Sequence, residues 1–227
     1  MKTARLIVAF CMTALFGAAR LSAATPASTF ALQDWKLDIP GPKEIKELKD
    51  YSSDYFQLNP DRQLCFHLDA SEKGSTPNSH YVRSELRHLP NWTVGENHQL
   101  TAELKATFAL KPEKLTVLQI HGMLPDRKNA PPLLRVAYAK KDLVAILKTD
   151  NEGKKNENII LLKDLGDAWV KIDVVVESGS LKIRVNDEEK LNRNISYWEF
   201  PSYFKAGCYP QATEGTADVT FRKLEAK

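Results

Sequence analysis

The 227-residue chain predicts an all-β fold, a jelly-roll sandwich of two curved antiparallel sheets with a concave substrate groove. Three observations carry that expectation. Apolar and polar residues alternate in many short runs, as in strands with one face buried. Turn residues separate these runs at regular intervals. No helical periodicity of useful length occurs after Lys49.

Taken in order, Thr25 to Ser28 reads as a linker, and Trp35 to Pro40 alternates and stops at Pro40-Gly41-Pro42, as a first strand should. Lys43 to Lys49 is rich in helix formers and predicts a short helix. Phe56 to Leu68 holds one or two strands, broken at Asn59-Pro60-Asp61. Ala70 to Ser79 is a polar loop. Gln99 to Leu110 places Leu100, Ala102, Leu104, Ala106 and Phe108 on one face, a half-buried antiparallel strand. Strands are expected at Leu115–His121, Leu133–Ala139 and Leu143–Lys148, with a loop from Met123 to Pro132 and a turn at Asp150–Gly153. Val170–Val176 and Leu181–Val185 flank Glu177-Ser178-Gly179-Ser180, the clearest hairpin. Ala217 to Leu224 closes the domain.

Residues 1–24 are read apart from this domain. Lys2 and Arg5 precede an apolar run, Leu6 to Ala19, and Ser22-Ala23-Ala24 supplies small residues for cleavage, so a signal peptide is expected and residues 25–227 form the mature domain. The run is too short for a membrane span. A secreted or periplasmic protein follows, monomeric and free of the membrane once the leader is removed. The leader holds Lys2, Arg5 and Arg20, three of the 32 basic residues; the remaining 29 balance 29 acidic ones. General attraction to nucleic acid is therefore not expected. Cys65 and Cys208 remain, either as one disulfide or as two thiols. Neither cysteine lies in a metal-binding spacing.

Three runs place chemistry on one face. In Tyr203-Phe204-Lys205-Ala206-Gly207-Cys208-Tyr209-Pro210-Gln211, the residues Tyr203, Lys205, Tyr209 and Gln211 alternate with Phe204, Ala206 and Cys208. In Arg83-Ser84-Glu85-Leu86-Arg87 the charged residues share a face, and in Gln119-Ile120-His121 the two polar residues do. Alone, the Arg83 run reads equally as a solvated strand edge, and a lone histidine such as His121 is more often structural than catalytic, whereas the Tyr203 run carries more than a solvated face needs. Together, on neighbouring strands, they make a groove floor with two guanidiniums and an ammonium against one carboxylate. Such a floor suits an extended anionic ligand rich in hydrogen-bonding groups, such as an acidic polysaccharide.

These runs resemble the three signature motifs of the alginate lyases of polysaccharide lyase family seven: R-[ST]-E-L-R, Q-[IV]-H and Y-F-K-A-G-x-Y-x-Q. The resemblance covers the chain from about Phe30 onward. It departs from the family at Pro210, which lacks a backbone N–H and implies a strand end there. It implies β-elimination on a 1,4-linked uronate polymer, with loss of the C5 proton, cleavage of the C4–O4 bond and a 4,5-unsaturated product. It assigns Arg83 and Gln119 to neutralise the uronate carboxylate, which would otherwise become a dianion. His121 is the implied base for guluronate. Tyr209 is the acid, and also the base for mannuronate. Lys205, Arg87, Tyr203 and Gln211 would bind neighbouring sugars, and Glu85 would orient Arg83 and Arg87. Arg127 and Lys128, in the loop after His121, would meet the polyanion from above. No metal or cofactor is implied. Isoleucine at position 120 accompanies action on guluronate in the family.

Other readings remain open at this level. A glycoside hydrolase needs paired carboxylates, and Glu85 stands alone between arginines. A non-catalytic acidic-polysaccharide-binding module would need no Gln, His, Tyr and Arg set. A lyase for another polyuronate, such as glucuronan, is a third reading, which a substrate panel separates.

Overall fold

The computed structural model describes residues 24–41, 43–72, 80–124 and 129–227, apart from the Asn129 side chain. Among the described residues a 3-10 turn, Pro26–Ser28, precedes fifteen strands. They are β1 (Trp35–Ile39), β2 (Lys43–Ile45), β3 (Phe56–Leu58), β4 (Leu64–Asp69), β5 (Ser84–His88), β6 (His98–Lys111), β7 (Lys114–Met123) and β8 (Asn129–Ala139). Then follow β9 (Asp142–Lys148), β10 (Asn156–Leu162), β11 (Val170–Glu177), β12 (Ser180–Val185), β13 (Glu188–Asn194), β14 (Ser202–Pro210) and β15 (Glu214–Ala226).

The strands form two antiparallel sheets, in the orders β10-β9-β8-β7-β14-β5-β1-β2 and β13-β12-β11-β6-β15-β4-β3. We call them the groove sheet and the back sheet. Apolar residues from alternate positions of both fill the space between. Phe66 packs edge-on against Phe56 and Phe221, at centroid distances of 5.3 and 5.5 Å. Leu86, Ile120 and Phe204, the apolar partners within the three motifs, are all fully buried. Those strands are therefore anchored by one face, which fixes the other face outward.

The structure changes several sequence expectations. Lys43–Lys49 forms no helix. Its first three residues extend as an edge strand, with Ile45 opposite Leu37, and pairing to a formed sheet outweighs a weak local propensity. The segment expected as a loop up to Pro132 is already strand from Asn129. β10 and β13, read from no sequence pattern, extend the two sheet edges. The β11–β12 hairpin is present and turns through Ser178 and Gly179, both at positive φ.

Cys65 and Cys208 are free thiols. Cys208 is fully buried between the sheets, 3.7 Å from the Ala217 carbonyl. Cys65 alternates with buried Leu64 and Phe66, so it faces outward, 3.5 Å from the Thr220 hydroxyl. Cys208 points into the core from β14 of the groove sheet and Cys65 points away from the core on β4 of the back sheet, so no disulfide joins them.

Candidate active site

The three motif strands are adjacent, in the order β7-β14-β5. Register aligns them finely. Lys205 sits opposite Arg87 on one side and Gln119 on the other, and Tyr203 sits opposite His121. The polar side chains thus share the outward face as the alternation predicts. Gly207 permits this arrangement. Its φ is +150°, and a Cβ there would lie 2.5 Å from the Ser84 carbonyl oxygen and 2.8 Å from Glu85 Cα. The register against β7 shifts between Ala206 and Tyr209, so a bulge at Gly207 carries the strand on to Tyr209.

At the bottom of the site lies Glu85, only 1% exposed. Its carboxylate meets Lys205 Nζ at 2.5 Å and Arg83 Nη1 at 3.3 Å, and accepts a hydrogen bond from the Gln119 amide. Burial by itself pushes this carboxyl up. The charges of Lys205 and Arg83, with the hydrogen bonds, outweigh that and hold it below the usual carboxylate range. Glu85 is thus an ionised anchor that fixes three site groups at once. The expectation that it orients Arg83 and Arg87 is corrected in its second half: Glu85 holds Arg83, Lys205 and Gln119. Arg87 instead donates to the carbonyls of His88 and Leu89 and to Asn91 Oδ1. Asp38 on β1, not singled out from the sequence, lies 3.5 Å from Lys205 Nζ.

Above this anchor lie two stacks. The Arg87 guanidinium sits 4.1 Å from the Tyr203 ring centroid, and the His121 ring stacks on Tyr203 at 5.4 Å and 17°. Arg87 and His121 belong to the strands on either side of β14, so Tyr203 is held between them. The Arg83 guanidinium sits 4.2 Å over the Tyr209 ring. Cation–π attraction holds both rings, and the Tyr203 hydroxyl also lies 3.3 Å from His121 Nδ1.

The hydrogen bonding of His121 fixes its tautomer. Its Nδ1 lies 2.9 Å from the Gly122 carbonyl oxygen. A carbonyl only accepts, so Nδ1 carries the hydrogen and Nε2 the lone pair. Burial, then the charge of Lys205, push the imidazole down to about 4, and it is neutral at ordinary pH. Burial pushes the Tyr203 phenol up despite nearby Arg87.

Gln211 lies one residue beyond the end of β14, which stops at Pro210 as the missing N–H implies. Its side-chain oxygen accepts from Thr116 at 2.7 Å and its amide donates to the Tyr209 carbonyl. Gln211 is 6% exposed, and these bonds make it a brace for Tyr209. Arg127 and Lys128 lie outside the described residues. Arg135 on β8 was not singled out from the sequence. It sits opposite Gln119 and extends the polar floor by one strand.

This arrangement of a desolvated neutral imidazole, a tyrosine and an arginine–amide pair around a buried acid has relatives. The alginate lyase family model matches residues 30–227. The chain belongs to the alginate lyase family. A curated alginate lyase from Photobacterium sp. (strain ATCC 43367) is 29% identical over 83% of this chain and 81% of its own length. Among solved structures, the family 7 alginate lyase A1-II′, crystallised as a variant with its product (GGG), is 26% identical with a TM-score of 0.84, covering 90% of this chain and 99% of that one. A further variant of that enzyme, in complex with substrate (GGMG), is 27% identical with a TM-score of 0.82, over 90% and 97% of the two chains. An alginate lyase from Pseudomonas aeruginosa is 25% identical with a TM-score of 0.77, over 86% and 98%. The protein is a polysaccharide lyase with the jelly-roll fold of this family.

Proposed function

We propose that the protein depolymerises alginate by β-elimination at the groove of β7, β14 and β5, acts on guluronate-containing blocks, and works as an exported enzyme outside the cytoplasm. The observation that carries the mechanism is the pairing of a neutral, Nδ1-protonated His121 with Arg83 and Gln119 on one buried anchor. The uronate carboxylate binds against Arg83 and the Gln119 amide. Removing the C5 proton places a second negative charge on that group, and preorganised donors in a water-poor site stabilise it.

The His121 lone pair on Nε2 takes the C5 proton of guluronate. Tyr209 donates its phenolic proton to O4 as the C4–O4 bond breaks. The proton count closes when His121 releases its proton to water and Tyr209 regains one. For mannuronate, Tyr209 serves as both base and acid. Arg83 lies over its ring and holds it in place. The complexes of A1-II′ with GGG and GGMG support guluronate at this kind of site, as does Ile120 at the centre of the second motif. Export rests on the leader-like character of residues 1–24.

The deciding experiment mixes the mature protein with alginate and with a panel of other polyuronates, and follows ultraviolet absorbance of the unsaturated product together with reducing ends. A lyase raises both, a hydrolase raises reducing ends alone, and a binding module raises neither. Tyr209→Phe should lower kcat by about 10²–10⁴-fold, the range for losing a positioned acid, while oligosaccharide binding persists.

A further inference from the structure

A single row of residues crosses the groove sheet. Lys36 pairs in register with Arg87, Arg87 with Lys205, Lys205 with Gln119, and Gln119 with Arg135. Directly opposed residues point to the same face, so five strands each contribute one side chain to the row. Neighbouring positions are about 4.8 Å apart, the strand spacing. Four of the five carry positive charge.

Three of the four cations have partners within the protein. Lys36 pairs with Glu44. Arg87 is bound by two carbonyls and Asn91. Lys205 pairs with Glu85 and Asp38. Arg135 differs: among the described residues it makes no hydrogen bond and no ion pair. It is only partly exposed, and burial pushes its guanidinium down from its ordinary value. Its second neighbour in charge is Lys114, which alternates with fully buried Leu115 on β7 and so shares the outward face. Burial and then the charge of Arg135 push the Lys114 ammonium down. The Tyr209 phenol is the acidic group that acts on Arg135, and among the described residues no carboxylate pairs with Arg135 or Lys114; two cations that repel each other are costly to keep out of water unless an anion joins them. The opposite end of the row holds Asp38 and Glu44, which disfavour an anion there.

We propose that Arg135, assisted by Lys114, binds the carboxylate of the uronate next to the one that reacts, on the β8 side of Gln119. This rests on the reading of the groove as a polyuronate site. The planar guanidinium suits a carboxylate in a two-pronged contact. It lies one strand beyond Gln119, a distance of the order of one sugar ring. The subsite makes the enzyme select for charge at the neighbouring residue as well as at the reacting one.

Binding without turnover tests this. In a Tyr209→Phe background, the affinity for a guluronate pentamer is measured by calorimetry with and without Arg135→Gln. The expected result is about a tenfold or greater loss of affinity, with a weaker dependence on salt. Lys114→Gln should give a smaller loss in the same direction. An affinity within twofold of the parent for Arg135→Gln overturns the assignment. Should that variant not fold, Arg135→Met keeps the packing of the stem, drops the charge and is judged by the same criterion. In the turnover assay of the otherwise native enzyme, the substitution should raise KM more than it lowers kcat, and a fall in kcat at constant KM also overturns it. Failure of the native enzyme to form unsaturated product from any polyuronate would end the lyase reading, yet the calorimetric result for Arg135 would still stand.

Discussion

The groove sheet and the back sheet each turn a charged, alternating face away from the shared core. On the back sheet the charges meet in the open. Lys182 pairs with Glu177 at 2.8 Å, and Arg222 with Glu103, whose side chains remain 45% and 28% exposed. On the groove sheet the central pair, Lys205 with Glu85, has side chains only 5% and 1% exposed, although no second sheet covers it. Its cover is its own neighbours, the Tyr203 and Tyr209 rings with the arginines stacked on them. The difference teaches that chemistry here follows from desolvation. Similar residue types give a screened surface on one sheet and a water-poor anchor on the other.

Replacing one acid on each face should break the symmetry most strongly. Glu85→Gln leaves Lys205 and Arg83 without their shared anion in a buried place, which costs about 3–5 kcal/mol by the measured behaviour of broken buried pairs. It also frees the Gln119 amide, so activity should fall by orders of magnitude in whatever protein still folds. Glu103→Gln removes an equally close partner from Arg222, and should leave both melting temperature and activity nearly unchanged. Urea denaturation of the two variants beside the parent checks this. Equal losses would mean that the anchor is no better shielded than the surface pair.

The pH profile sharpens the same contrast. His121 titrates near 4 because burial and Lys205 disfavour its charged form. Below that pH the imidazole gains a proton at Nε2 and cannot act as a base. On guluronate blocks, kcat/KM, which reports the free enzyme, should therefore rise with pH through about 4 and then level off. An acid limb near the ordinary histidine value of about 6.5 would show that water reaches the ring freely.

Much of this contrast was legible in the sequence, because a two-residue period is a direct geometric statement. Once Leu86, Ile120 and Phe204 are assigned to the core, Arg83, Glu85, Gln119, His121 and Lys205 must face away from it. Which face is concave was not legible. Lys182-Ile183-Arg184 on the back sheet alternates just as Gln119-Ile120-His121 does, yet Arg184 is exposed whereas Gln119 is buried. Strand order was equally hidden. Arg135 lies in the run Leu133-Leu134-Arg135-Val136, where its outward direction follows from alternation. Its place beside Gln119 depends on long-range pairing and on shifts in the β7–β8 register. The role of Glu85 was half legible: arginines flank it two residues away on either side, but its strongest partner, Lys205, is 120 positions away and comes diagonally beside it only through the β14–β5 pairing.

The smallest expected effect concerns a residue that touches neither face. Ile120 is fully buried on the core side of β7, opposite Phe204 and Leu134, directly between Gln119 and His121. Ile120→Val removes one methylene, which typically costs about 0.5–1.5 kcal/mol. The strand can relax into the space, and doing so moves the Gln119 amide and the His121 ring together. In the proposed mechanism guluronate uses His121 as base, whereas mannuronate reacts through Tyr209 on the neighbouring strand. The substitution should therefore lower the ratio of guluronate to mannuronate activity by a few fold, because misplacement of a catalytic group by a fraction of an ångström is felt in the rate. Ile183 on the back sheet is buried as completely, and Ile183→Val should cost similar stability with no change in that ratio. Rates on purified polyguluronate and polymannuronate, measured for both variants alongside their unfolding curves, separate the two effects. If Ile120→Val loses stability like Ile183→Val and leaves the ratio untouched, Ile120 is packing alone, and the guluronate preference must be set by residues on the groove face itself.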